Sequence, residues 1–115
     1  ALRDFWSRGA GGGATAPRGV HGGTEDSYLC IEDRGAKEKG PHQPYVHPGL
    51  NHIGFVVSDA AGIEERLLEA GYEQGAKYVD HPHRHRYYFF DHDGNEYEFV
   101  EYLSDDPIER NDYDS

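Results

Sequence analysis

The chain contains little cysteine and little positive charge. Its single cysteine, Cys30, can form neither an intrachain disulfide nor a cysteine-based zinc site. Lysine and arginine together number 11 against 22 aspartates and glutamates, so the formal net charge is -11. Nucleic acid and anionic membranes both require a cationic face, and neither is expected as a partner. The sequence also shows no membrane-spanning apolar run and no N-terminal signal peptide, so we expect a cytoplasmic protein.

Apolar residues are scarce, but aromatic residues are not. The hydrophobic fraction is 36%, which is low for a globular protein, while 13% of the 115 residues are aromatic. Nine tyrosines and five phenylalanines can fill a core that aliphatic side chains alone would leave thin. The length suits one domain with one core, so we predict a single folded domain.

The first half of the chain is marked by glycine. Leu2, Phe5 and Trp6 stand at helical spacing before a glycine cluster, which predicts a short amphipathic helix. The segment "GATAPRGVHGG" is predicted to be a flexible loop. "DSYLCIED" follows as a strand, within which Cys30 is expected to be a small buried hydrophobic side chain. Residues 34–49 are polar and rich in proline, and they are predicted to connect two halves of the protein.

The second half has clearer periodicity. "LNHIGFVV" predicts a strand, and "SDAAGIEERLLEAG" predicts a helix that Ser58 or Asp59 caps and Gly71 ends. "AKYVDH" is predicted as a short strand, followed by the strands "RHRYYFFD" and "NEYEFVEYL". The acidic tail is expected on the surface. We expect the apolar stripe of the helix to pack against the apolar face of the first strand, which places Ile63, Leu67 and Ala70 against Ile53, Phe55 and Val57.

The segment "DHDGNEYEFVEY" combines a turn with an unusual strand. Its Asp-Gly-Asn sequence suits a reversal that needs positive φ. The strand that follows places Glu96 and Glu98 on the same face as Val100 and Tyr102. Glu96 and Glu101 are predicted to be ordinary surface charges. A buried Glu98 would cost several kcal/mol unless a cation or a hydrogen-bond donor pairs with it.

Two of these segments resemble the vicinal oxygen chelate superfamily, which includes glyoxalase I, extradiol dioxygenases, and the fosfomycin and bleomycin resistance proteins. They are "NHIGFVV" with the helix that ends at Gly71, and "YYFFDHDGNEYEFVEY". The resemblance is clearest over residues 50–103. It implies an α+β fold in which paired βαβββ modules form a cup-shaped mixed sheet. Residues 1–33 would then be an incomplete first module, 34–49 a linker and 104–115 an acidic tail.

The same resemblance implies a metal site with a histidine on the first strand of a module and a carboxylate on its last strand. Carried over by position, these are His52 and Glu98, and Glu98 is also the candidate for catalytic proton transfer. The metal would be a divalent ion such as Zn, Ni, Mn or Fe. In the first module the position of the carboxylate falls near Ser27 or Tyr28, so one chain supplies two ligands. Either a second chain completes the site or no metal binds, in which case His52 is a strand histidine bonded to a neighbouring group.

Four further residues alternate along one strand and share its face. Arg84, Arg86, Tyr88 and Phe90 form a combination suited to an anionic or aromatic ligand, and they are the predicted substrate-binding residues. The alternative is that both arginines pair with carboxylates of adjacent strands.

Two functions follow from the resemblance. The first is a metal-dependent enzyme, a lyase or dioxygenase, that acts on a small molecule. The second is a metal-free protein of the resistance type that binds a small molecule between aromatic walls. We also predict a homodimer, because about one and a half modules leave a sheet edge that needs a partner.

Overall fold

The computed structural model describes residues 15–16, 19–23, 26–32 and 42–113. The described strands form two sheets, with the orders β1-β2-β3 and β4-β7-β6-β5. The elements are β1 (Thr15–Ala16), β2 (Gly19–Gly23), β3 (Tyr28–Glu32), β4 (His52–Val56), α1 (Ala60–Glu69), β5 (Glu73–Tyr78), β6 (Arg84–Phe90), β7 (Glu96–Tyr102) and α2 (Pro107–Arg110).

The described residues of the segment "GATAPRGVHGG" are strands rather than a loop. This segment contains β1 and β2, and β2 pairs with β3 in antiparallel register from Gly19 opposite Glu32 to Gly23 opposite Tyr28. The loop prediction was wrong because the sheet ladder uses only backbone N–H and C=O groups, which glycine supplies as well as any residue. The strand predicted at β3 is confirmed, but Cys30 within it is exposed rather than buried. The helix predicted around Phe5 lies outside the described residues.

The second half has the predicted order of strand, helix and three strands. β4 runs parallel to β7, while β7 with β6 and β6 with β5 are antiparallel, so this sheet is mixed. The predicted α+β class is confirmed. The strand predicted around Ala76 begins earlier, at Glu73, and ends at Tyr78. None of the helices in the described ranges has the length and apolar character needed to cross a bilayer.

Both ends of α1 are capped as the sequence predicts. At the start, an oxygen of Asp59 accepts a hydrogen bond from the backbone N–H of Gly62 at 3.0 Å. At the end, Gly71 has a φ of 85°, and the N–H of Tyr72 donates to the carbonyl of Leu67 at 3.0 Å. This backbone pattern ends the helix and turns the chain towards β5, and it requires the left-handed conformation that glycine adopts at little cost.

The core lies between α1 and one face of the four-stranded sheet. Ala60 and Leu67 of the helix are fully buried, as is Phe89 of β6. Ile53, Phe55, Val57 and Ala70 are partly buried against this cluster, so the apolar faces of the helix and of β4 belong to one core as predicted. The helix itself packs mainly on β6 and β7 rather than on β4. The buried members of the cluster are Ala60, Ile63, Leu67, Tyr72, Tyr87, Phe89, Tyr97 and Phe99.

The turn between β6 and β7 is organised by one buried carboxylate. Asp91 accepts hydrogen bonds from the backbone N–H groups of Asp93 and Asn95, both at 2.9 Å, and from the Asn95 amide at 3.0 Å. Gly94 has a φ of 85°, which confirms the predicted turn. The turn fixes the pairing of β6 with β7 and therefore which side chains of the two strands stand opposite each other.

Candidate functional site

The face of the four-stranded sheet that lies away from α1 carries the polar side chains. Strand alternation sends Phe99 of β7 into the core and its neighbours Glu98 and Val100 to this opposite face. A cavity of about 280 Å³ lies there. It is lined by His52 of β4, by Arg84, Arg86 and Tyr88 of β6, by Glu98, Val100 and Tyr102 of β7, and by Tyr113.

Three polar side chains of the cavity are joined by hydrogen bonds. Oε2 of Glu98 accepts from the hydroxyl of Tyr88 at 2.8 Å and lies 3.1 Å from Nε2 of His52. The register accounts for the contacts, because Tyr88 and Gly54 stand directly opposite Glu98 on the two neighbouring strands. The rings of His52 and Tyr88 also meet edge to face, with centroids 5.6 Å apart. We refer to His52, Tyr88 and Glu98 as the polar cluster.

Gly54 keeps the space beside Glu98 open. A methyl group built on this glycine would lie 3.9 Å from the Glu98 carboxyl carbon, in ordinary van der Waals contact. A longer side chain on β4 would therefore extend over the carboxylate. The absence of a side chain at Gly54 leaves Glu98 accessible from the cavity.

The polar cluster holds one carboxylate oxygen and leaves the other unused. Burial, and after it the hydrogen bond to Glu98, raise the pKa of Tyr88, so its phenol stays protonated and acts as a donor. Nδ1 of His52 lies 2.7 Å from the side-chain oxygen of Asn51, and this contact fixes the orientation of the ring. Within the described residues, Oε1 of Glu98 makes no hydrogen bond. The arrangement therefore presents one oriented carboxylate oxygen to whatever occupies the cavity.

A family model described as the Glyoxalase/Bleomycin resistance protein/Dioxygenase superfamily matches residues 6–99. The chain belongs to this superfamily. No curated protein sequence gives a significant match.

Solved structures of the superfamily fold resemble this chain at low sequence identity. The fosfomycin resistance protein FosX from Listeria monocytogenes is 16% identical, with a TM-score of 0.65 over 95% of this chain and 85% of that chain. The lactoylglutathione lyase from Agrobacterium tumefaciens is 19% identical, with a TM-score of 0.57 over 88% of this chain and 83% of that chain. TioX from Micromonospora sp. ML1 is 18% identical, with a TM-score of 0.60 over 87% and 84% of the two chains. At these identities the likeness establishes the fold alone.

The superfamily resemblance assigned His52 and Glu98 to a metal site. Both side chains do line one cavity, as predicted. However, their ligating atoms face each other across 3.1 Å, and two arginines share the cavity with them. Among the described residues, no group of three or more histidine, cysteine, aspartate or glutamate side chains could hold a metal ion. The two residues on their own do not make a complete metal site, and their role as ligands stays a prediction.

The four predicted substrate-binding residues are divided by the structure. Arg84, Arg86 and Tyr88 line the cavity. Phe90 is half-buried near the other end of β6, where its ring lies against Gly75, and it does not line this cavity. Substrate contact stays a prediction, and the structure places only Arg84, Arg86 and Tyr88 where they could make it through this cavity.

Glu96 is not the surface charge that the sequence suggested. Its side chain is buried, and it accepts a hydrogen bond of 2.6 Å from the hydroxyl of Tyr45, which lies in the segment between the two halves. This bond is the main reason that the pKa of Tyr45 is raised to about 12, although most of the Tyr45 side chain is exposed. Tyr45 has a φ of 67°, which is uncommon for a residue with a side chain. No sequence pattern indicated this contact, because it joins positions 51 residues apart.

The acidic tail also reaches the cavity. Tyr113 lines it, and its ring lies 4.4 Å from the guanidinium carbon of Arg84. Two histidines before β6 hold the tail: His81 bonds the carbonyl of Asp112 at 3.0 Å, and His83 lies 3.2 Å from the carboxylate of Glu109. Residues 104–113 of the tail are exposed or half-buried, in line with the expected surface position, but the ring of Tyr113 forms part of the cavity wall.

Proposed function

We propose that this chain is a small-molecule enzyme of the glyoxalase/dioxygenase type, in which Glu98 moves a proton on a substrate bound in the cavity. The polar cluster is the observation that carries the proposal. The Glu98 side chain is 17% exposed, two neighbouring side chains hold one of its oxygens, and the other oxygen is unused by the described residues. A fixed carboxylate of this kind is suited to general acid–base catalysis.

The two neighbours of Glu98 act by positioning it. The hydroxyl of Tyr88 and the ring of His52 both meet Oε2, so the carboxylate cannot rotate without losing them. Oε1 is then directed at one place in the cavity. Burial strengthens these hydrogen bonds, because the local dielectric is lower than in water. A substrate proton within reach of Oε1 would pass to Glu98 and return from it later in the reaction.

A metal-dependent form of this enzyme would need ligands beyond His52 and Glu98. We propose that a second copy of the chain supplies them or buttresses the cavity. Among the described strands, β4 is an edge of the four-stranded sheet, and Val56 on it is 64% exposed, so this edge offers an apolar side chain to a second copy. Light scattering at micromolar protein is expected to give the mass of a dimer, and a monomer mass would contradict the proposal.

The activity is tested with the compounds for which the structural relatives are named. The chain is purified without added metal or an affinity tag, its Zn, Ni, Mn and Fe contents are measured, and lactoylglutathione and fosfomycin are assayed first within a panel of small molecules. We expect at least one compound to bind and be turned over. Metal that copurifies in stoichiometric amount, and turnover that a chelator removes, would support the metal-dependent form.

The second candidate function is metal-free binding of a small molecule. It is favoured by the aromatic and arginine side chains that line the cavity. It is also favoured because, among the described residues, only His52 and Glu98 are placed as predicted metal ligands, and no group of three or more is found. A compound that binds stoichiometrically but is never converted would favour this function over catalysis.

A further inference from the structure

The cavity is lined by more positive than negative side chains, whereas the chain as a whole is acidic. The protein carries a net charge of -11, yet the cavity is lined by two arginines and one glutamate. The glutamate, Glu98, is already engaged with Tyr88 and His52. Both arginines stand on β6, two residues apart and on one face, so their side chains point the same way. The cavity is therefore a cationic site in an acidic protein.

Neither arginine is neutralised by a carboxylate within the part of the chain that the structure describes. Arg84 is 3% exposed, donates to the carbonyl of Arg110 at 3.1 Å and stacks on Tyr113. Arg86 lies over the ring of Tyr78, with 4.6 Å between its guanidinium carbon and the ring centroid. Arg86 also lies beside the side chain of Tyr88. These contacts are a carbonyl, a phenol and aromatic faces, none of which carries a full negative charge.

Each arginine also keeps a buried donor without an acceptor. Nε of Arg84 and Nε of Arg86 are both buried and make no hydrogen bond. A buried N–H donor that has lost water without gaining an acceptor is costly, and native proteins satisfy most such groups. Acidic residues outnumber basic ones two to one in this chain, so carboxylates that could pair with the two arginines are plentiful. An anion from outside the chain would offset this cost.

We propose that Arg84 and Arg86 bind the anionic group of the substrate, a carboxylate or a phosphorus oxyanion. Guanidinium groups bind such anions through two parallel hydrogen bonds, which fixes the orientation of the ligand as well as its position. The uncharged part of the ligand then extends along β6 and β7 towards Oε1 of Glu98. A volume of about 280 Å³ is just below the ~300–1,000 Å³ of cavities that hold drug-sized ligands, so the ligand is compact. The inference rests on the proposed function of this cavity as the substrate site.

The test uses the full chain and two simple anions. Thermal unfolding is followed during titration with sodium phosphate and, separately, with sodium acetate, each against sodium chloride at equal ionic strength. We expect a saturable rise in Tm with phosphate, acetate or both. The variant Arg86→Gln should bind the effective anion roughly tenfold more weakly or worse, the effect of losing a charged hydrogen-bond donor. Phosphate alone would identify a phosphorus oxyanion, and acetate alone a carboxylate.

Three variants serve as controls. Arg66→Gln removes an exposed arginine from α1, away from the cavity, and should respond like the unsubstituted protein. Arg86→Lys keeps the charge without the planar fork and should bind more weakly than the unsubstituted protein, which keeps the test decisive if Arg86→Gln fails to fold. Equal responses in Arg66→Gln and the Arg86 variants, or an equal effect of chloride, would overturn the proposal.

The third control separates this inference from the proposed function. Glu98→Gln removes a negative charge from the cavity, so it should bind the anion at least as well as the unsubstituted protein even though its activity is lost. Anion binding that depends on Arg86, in a protein whose activity does not depend on Glu98, would support the anion site and reject the proposed proton transfer. The reverse pattern would reject the anion site alone.

Discussion

Replacing Glu98 with glutamine is expected to lower kcat/KM for the substrate of this protein by about 10²–10⁴-fold, the usual contribution of a general acid or base. Glutamine has nearly the same shape, and its carbonyl oxygen can still accept the hydrogen bond from Tyr88. It cannot carry the proton, however. The catalytic loss should therefore come with only a small change in Tm, which a thermal unfolding experiment on the same sample measures.

A matched control makes the assignment specific. Glu73 is an exposed carboxylate at the start of β5, and Glu73→Gln makes the same chemical change outside the cavity. We expect it to keep full activity. The activity of Tyr88→Phe should lie between those of Glu98→Gln and Glu73→Gln, because this variant loses one hydrogen bond to Oε2 but keeps the carboxylate. If Glu98→Gln and Glu73→Gln were equally active, proton transfer by Glu98 would be excluded.

Truncation of Leu67 is expected to cost about 2–5 kcal/mol in the free energy of unfolding, the range for large-to-small changes in a packed core. Leu67 lies on the face of α1 that packs against the sheet. Its side chain is fully buried in the core cluster that includes Phe89 and Phe99. Alanine at this position would leave a cavity that a helix capped at both ends cannot easily close. Urea unfolding of Leu67→Ala, compared at an unchanged m value, measures the loss.

The next residue on the helix supplies the control for this truncation. Leu68 is 49% exposed, so Leu68→Ala makes the same change in the same helix with far less burial lost. Helix propensity changes alike in both variants and cancels in the comparison. Equal midpoints for the two would show that α1 does not pack on the sheet through Leu67.

The sequence predicted the second half well because each element there follows one local rule. The alternation in β7 placed Glu98 on the opposite face from Phe99, and the Asp-Gly-Asn turn set the pairing of β7 with β6. The placement of His52 beside Glu98 came instead from the family resemblance. Periodicity describes the faces of one strand, but it does not say which strand lies beside it.

The errors have a common physical origin. β1 and β2 were missed because glycine gives no side-chain pattern, although its backbone pairs as well as any other. Glu96 was assigned to the surface because its partner, Tyr45, lies in a segment without periodicity. Tyr113 was not foreseen at the cavity because it lies in the acidic tail, after the short helix α2, where no periodicity indicates a contact. Contacts made by irregular segments depend on tertiary structure, which local sequence does not encode.

The two contacts that hold Glu98 in the polar cluster close chain loops of very different length, and the longer loop costs more chain entropy to close. Tyr88 and Glu98 lie ten residues apart on one hairpin, whereas His52 and Glu98 are separated by 46 residues. Closing the longer loop loses more chain entropy, and its contact depends on β4 remaining docked at the edge of the sheet. The contact of His52 with Oε2 is therefore less stable against local unfolding than the hydrogen bond from Tyr88. In local unfolding we expect the contact between His52 and Glu98 to be lost first, while the hydrogen bond from Tyr88 to Glu98 persists as long as the β6–β7 hairpin stays paired.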